Sequence, residues 1–116
     1  MNRPGGRPLA MNTITRDDLH ARLRDAKLVL LETLPEAHYT GGHLPGARWF
    51  STDRARELAS AAAANRDVPI VVYCASDRCQ WSHQVARVLA DVGYTDVRVY
   101  LGGKADWLAA GLPIEP

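Results

Sequence analysis

Apolar residues along this chain come in short runs that alternate with segments of helical spacing, and that alternation sets the first expectations. Lys27-Leu28-Val29-Leu30-Leu31-Glu32 is a compact apolar run, the pattern of a strand buried on both sides. Pro69-Ile70-Val71-Val72-Tyr73 is a second such run and the most β-like in the chain. Val97-Arg98-Val99-Tyr100-Leu101 and the shorter Ala47-Arg48-Trp49-Phe50 complete the predicted strands. Between them, Leu19 and Leu23 stand four apart and predict a helix over roughly 16–25, opened by the capping-box-like pair Thr15 and Asp18. Pro35 opens a helical turn through Tyr39 that Gly41-Gly42 breaks, and Asp53 caps an Ala-rich helix over 54–65. Val85, Val88, Leu89 and Val92 follow the i, i+3, i+4, i+7 spacing, with Gly93 as the stop. A last helix covers about 104–110 and ends at Gly111, before Pro113. Strands alternating with helices predict an α/β domain around a parallel sheet covered on both faces, a class that binds ligands beyond the carboxyl ends of its strands.

A chain of 116 residues is one domain by length and long enough to bury a real core. The N-terminal stretch Met1 to Pro8 is basic but no apolar segment follows it, so it does not read as a signal peptide. Residues 1–12 are expected to form a flexible leader and 13–116 the domain. A net charge of +1, with scattered basic residues and few aromatics among them, argues against a nucleic-acid partner. No apolar run is long enough to span a bilayer, so no membrane partner is expected. With only two cysteines, a framework of secreted disulfides is disfavoured, and a reduced, cytoplasmic location is expected.

Those cysteines carry the chemistry. Cys74 ends the Ile70-Val71-Val72-Tyr73 run, and a polar loop, Ala75 to Gln80, leads from it into a helix-patterned segment. A thiol placed there faces converging backbone N–H groups, which favour thiolate over thiol and hold anions. Lowering a thiol pKa by two units from about 8.5 requires about 2.7 kcal/mol of differential stabilisation. Arg78 is the nearest cation, and Asp77 is expected to face solvent. The plainer reading makes Cys74 a small buried hydrophobe at a strand end. Cys79 is either a resolving thiol, if the loop curls enough to bring the two Cα atoms within about 7 Å, or a bystander. Cys74, Cys79 and His83 make a poor zinc site, having no fourth ligand. A phosphatase-type loop would set an arginine where Gln80 stands, so phosphoryl transfer lacks its bidentate clamp.

From about Thr15 to Glu115 the chain resembles the rhodanese-like sulfurtransferase family. Gly42-His43-Leu44-Pro45-Gly46-Ala47 is similar to one family signature, and Val72-Tyr73-Cys74 opens the active-site loop. Gly93-Tyr94 with Val97, then Gly102-Gly103-Lys104-Ala105-Asp106-Trp107 and Ala110-Gly111-Leu112-Pro113, resemble the C-terminal signature. The resemblance implies a three-layer α/β/α domain with a central parallel sheet of about five strands. It also implies covalent catalysis: Cys74 takes the outer sulfur of a donor such as thiosulfate, and the resulting persulfide passes that sulfur to cyanide, a thiol or a protein acceptor. The N–H groups of Ala75, Ser76, Asp77, Arg78, Cys79 and Gln80 would hold the persulfide and the anionic donor. No cofactor and no metal are implied.

The chain departs from the family where many relatives carry a loop arginine. Cys79 stands in that place, as in a subgroup with a second loop cysteine, and Asp77 replaces a loop glycine. Glu32-Thr33-Leu34 replaces an aspartate–valine–arginine triplet. Arg78 or Lys104 is expected to compensate as a cation at the pocket rim. His43 and Glu32 read as hydrogen-bonding residues rather than acid–base catalysts. Trp49 and Trp107 read as core aromatics, Ser82 as a helix cap or first-turn residue, and Gly102-Gly103 as a turn. Two alternatives to the enzyme stay open: a redox-sensing or sulfur-carrier module built on the Cys74–Cys79 pair, and a non-catalytic binding domain.

Overall fold

The computed structural model describes residues 12–50 and 66–116. Its elements are β1 (Asn12–Thr13), α1 (Arg16–Arg22), β2 (Val29–Glu32), α2 (Glu36–Thr40), β3 (Arg48–Trp49), β4 (Ile70–Tyr73), α3 (Trp81–Asp91), β5 (Val97–Tyr100) and α4 (Gly103–Ala109). The helix expected over 54–65, with its cap Asp53, lies outside the described residues. The other expected elements fall within one to three residues of their sequence bounds. β1 is new: Asn12, at the edge of the expected leader, pairs with Arg98, and Thr13 pairs with Val99.

The sheet has the order β1-β5-β4-β2-β3 and every pairing is parallel. β4 is therefore central, and its four residues are all buried. Strand alternation divides the core between the two faces. Ile70 and Val72 point to one side, with Leu31, Val99, Phe50 and the α3 residues Val85, Ala86 and Leu89. Val71 and Tyr73 point to the other, with Leu30, Ile14, Leu19 of α1 and Trp107 of α4. Helices on both faces cover a fully parallel sheet and leave no polar side to β4, which is why its sequence reads as an unbroken apolar run.

Local chemistry fixes the helix ends. The Thr15 hydroxyl accepts the Asp18 N–H at 3.1 Å, the N-cap bond that the Thr15/Asp18 pair predicts. Gly93 takes φ 106° just after α3, where a side chain would be strained. Trp107 is fully buried and donates its indole N–H to the Pro113 carbonyl at 2.8 Å, which docks the C-terminal segment. That segment returns to pair Glu115 with His43 through two backbone bonds of 2.7 Å. Among the described residues, no helix is long and apolar enough to cross a membrane.

Candidate active site at the carboxyl edge of the sheet

Register places Glu32, Tyr73 and Tyr100 in one row across the carboxyl ends of β2, β4 and β5. Cys74 is the next residue on the central strand. It is 1 % exposed, so the strand delivers its sulfur into a sheltered site rather than onto the surface. The loop Ala75 to Gln80 then runs to α3, whose first turn contains the buried Ser82. Asp77 and Arg78 are both exposed.

α4 clamps this loop from the side. The Lys104 N–H donates to the Cys74 carbonyl at 2.9 Å, and the Ala105 N–H to the Ala75 carbonyl at 2.8 Å. Gly103 makes that approach feasible. It has φ 64°, and a Cβ there would stand 2.6 Å from the Cys74 carbonyl oxygen and 2.9 Å from Ser76 N. The sequence presents this glycine only as part of a turn; its second duty is to let α4 meet the loop backbone to backbone. Gly103→Ala is expected to displace the loop and cost about 1–3 kcal/mol, combining a left-handed backbone with a backbone clash. Thermal denaturation, with the rate at which the reduced Cys74 thiol is alkylated, measures both effects.

Within the loop, the Cys79 N–H donates to the Ser76 carbonyl at 3.2 Å and the Arg78 N–H to the Ser76 hydroxyl at 3.4 Å. This turn curls the segment back on itself. Cys74 and Cys79 are joined in a disulfide, with Cα atoms 6.1 Å apart, inside the range such a bond requires. The curled alternative is therefore the one adopted. Cys79 is half-buried, unlike its partner.

Beneath the loop runs a chain of buried polar contacts that the sequence only partly announces. Glu32 is fully buried and accepts the Tyr73 hydroxyl at 2.7 Å. The same hydroxyl oxygen accepts the Leu44 N–H at 3.1 Å. Lys104 Nζ lies 3.1 Å from Glu32 Oε1 and donates to the His38 carbonyl at 3.0 Å. The expected rim cation thus has its ammonium turned inward onto Glu32, and it meets the loop through its main-chain N–H. Glu32 is the hydrogen-bonding residue its sequence position suggests. Tyr73 is the member that sequence reasoning passed over, since an aromatic ending a buried strand looks like core alone.

Burial, then the bond to Glu32, push the Tyr73 hydroxyl well above the ordinary tyrosine value. A raised folded-state pKa gives stability that is whole below about pH 10, the unfolded value, and is lost as pH climbs past it. Unfolding free energy is expected to fall above that point by about 1.4 kcal/mol per pH unit from this group. Denaturant titrations at several alkaline pH values should show a shallower fall for Tyr73→Phe than for the parent.

His43 is held in place rather than presented. Its Nδ1 lies 3.0 Å from the Tyr39 carbonyl, its ring stacks on Tyr39 at 4.0 Å, and it is 7 % exposed. Glu115 Oε1 accepts the Gly46 N–H at 2.9 Å, closing the Gly42–Ala47 loop against the C-terminal segment. Trp107 is a core aromatic; Trp49 is only partly buried and donates to the Leu34 carbonyl at 2.7 Å. Among the described residues, no group of three or more His, Cys, Asp or Glu is placed to hold a metal ion.

Residues 15–110 match the family model described as Rhodanese-like domain. An HTH-type transcriptional regulator of Mycobacterium tuberculosis is 29% identical over 104 residues, which make up 90% of this chain and 45% of the regulator. The chain thus spans about half the length of that curated relative. The solution structure of a rhodanese-like domain from an Anabaena protein superimposes with a TM-score of 0.77 at 27% identity, covering 89% of this chain and 77% of that one. A human single-domain sulfurtransferase shares the fold, with a TM-score of 0.75 at 19% identity over 86% of this chain and 97% of its own.

Proposed function

The chain belongs to the rhodanese-like domain family, and on that premise we propose that it is a sulfurtransferase whose Cys74 carries sulfane sulfur as a persulfide. The observation that carries this reading is the position of Cys74: a sheltered sulfur at the carboxyl end of the central strand, its main chain pinned by α4. In the reduced protein, the Cys74 thiolate attacks the outer sulfur of thiosulfate or a low-molecular-weight persulfide and releases sulfite or the parent thiol. Cyanide, a thiol or a protein thiol then takes that outer sulfur and regenerates the thiolate. Splitting one transfer into two displacements is the gain of covalent catalysis. The main-chain N–H groups of Ala75, Ser76, Asp77 and Gln80 hold the anionic donor and the persulfide, those of Arg78 and Cys79 being engaged by Ser76 within the turn, and Arg78 is the exposed loop cation. Lys104 serves this site through its backbone, since its ammonium is engaged by Glu32.

The test is steady-state transfer by the fully reduced protein, with thiosulfate and glutathione persulfide as alternative donors and cyanide, glutathione or dithiothreitol as acceptor. Repeated turnover with at least one donor, absent after alkylation of Cys74, is the expected result. No turnover with either donor while the thiol remains open to alkylation would reject an enzyme. A second reading draws on the regulator relative: the domain takes up one sulfur per molecule as a carrier or sensor. One loading event without further cycles, under the same conditions, distinguishes it.

A further inference from the structure

Resting on the reading of Cys74 as a sulfur carrier, we propose that Cys79 is a second reacting thiol, which discharges the Cys74 persulfide as hydrosulfide and makes a dithiol reductant the co-substrate. Three observations carry it. The two sulfur atoms are bonded, and the turn that joins them is made by loop residues alone, through Cys79 N–H to Ser76 O and Arg78 N–H to Ser76 Oγ. Cys74 is fixed at its carbonyl by α4, whereas Cys79 lies at the far end of the turn. Cys74 is 1 % exposed while Cys79 is partly exposed.

These facts sort the sulfur atoms by who can reach them. In a Cys74 persulfide the outer sulfur is the one an external acceptor meets. The inner sulfur, Cys74 Sγ, lies against the core, and Cys79 is already within bonding reach of it. Attack by the Cys79 thiolate forms the Cys79–Cys74 sulfur bond and breaks the bond from Cys74 Sγ to the outer sulfur. The outer sulfur departs with the electron pair and its proton as HS⁻, reduced from sulfane sulfur to sulfide. The two cysteine sulfurs are oxidised to the disulfide, so no further oxidant is needed. Hydrosulfide is less basic than an alkyl thiolate, which favours its departure, and the step is intramolecular.

Re-reduction runs in the opposite order of access. One thiolate of a dithiol attacks the partly exposed Cys79 Sγ and expels the Cys74 thiolate. The second thiol of the reductant then frees Cys79 and closes its own disulfide. Over the cycle, one sulfane sulfur and one dithiol become hydrosulfide and a cyclic disulfide. The Cys74–Cys79 disulfide is the state through which this cycle passes after discharge and before reduction.

The test is a single discharge. Reduced parent protein and Cys79→Ser, which keeps the main-chain N–H, are loaded with glutathione persulfide, rapidly desalted, and followed by intact mass and by hydrosulfide in solution. Loaded parent protein should release one equivalent of hydrosulfide and end two hydrogens lighter than its reduced form; dithiothreitol should then restore that form. Loaded Cys79→Ser should hold the added sulfur about tenfold longer or more, the advantage expected of an intramolecular nucleophile. Cys79→Ala should match it. Equal lifetimes in parent and variants, with no disulfide formed, overturn the proposal while leaving Cys74 as a carrier. A parent protein that takes up no sulfur at all overturns the carrier reading, and the proposal with it.

Discussion

Cys74→Ser is expected to reduce sulfur transfer by on the order of a thousandfold or more, to the background between free donor and acceptor. A hydroxyl in place of the thiol neither ionises near neutral pH nor forms a stable bond to sulfane sulfur, so both displacements are lost at once. The substitution is small, but the site is sheltered and the new hydroxyl has to find a partner there. Circular dichroism and a thermal melt therefore accompany the assay and separate lost chemistry from lost fold. Retained turnover in a folded Cys74→Ser protein would place the nucleophile elsewhere.

Lys104→Met should produce the largest loss of stability, about 3 kcal/mol, and lower the melting temperature by on the order of 10 °C. Its ammonium is the cation facing Glu32, a carboxylate with no solvent exposure that also accepts the Tyr73 hydroxyl. Removing the cation strands a buried charge. The same substitution should slow transfer, because the Lys104 side chain anchors the helix end whose N–H holds Cys74. Pairing it with Glu32→Gln should recover part of the stability, since neither charge is then left alone. Melts of the parent, both single variants and the double variant measure that coupling. Additive effects, or a Lys104→Met protein that melts with the parent, would show that the ion pair does not organise the site.

What the sequence disclosed and what it withheld divide along physical lines. β4 and α3 were legible because burial on both faces makes an unbroken apolar run and burial on one face makes a helical stripe. Cys74 stood out because it ends that run. β1 was hidden: two exposed polar residues carry no period, and the strand exists only through its pairing with β5. The Glu32–Lys104 contact joins residues 72 positions apart, and nothing local to either announces it. One signal did exist, a charged residue closing an apolar run, and it marked Glu32 as a residue needing a partner. Gly103 was visible as a turn glycine, but its contact with the Cys74 carbonyl is a fact of packing. Arg78 or Lys104 is expected at the pocket rim in place of the loop arginine of many relatives, and Glu32 draws the Lys104 charge away from it.

The most direct check on the central claim is the intact mass of fully reduced Cys79→Ser protein, which cannot discharge a persulfide through a loop disulfide, after exposure to a sulfane-sulfur donor, with the modified residue located by peptide mapping. The account predicts one added sulfur atom, confined to Cys74 in the Cys79→Ser background. An unmodified Cys74 that still reacts with an alkylating reagent, under both thiosulfate and glutathione persulfide, would contradict it.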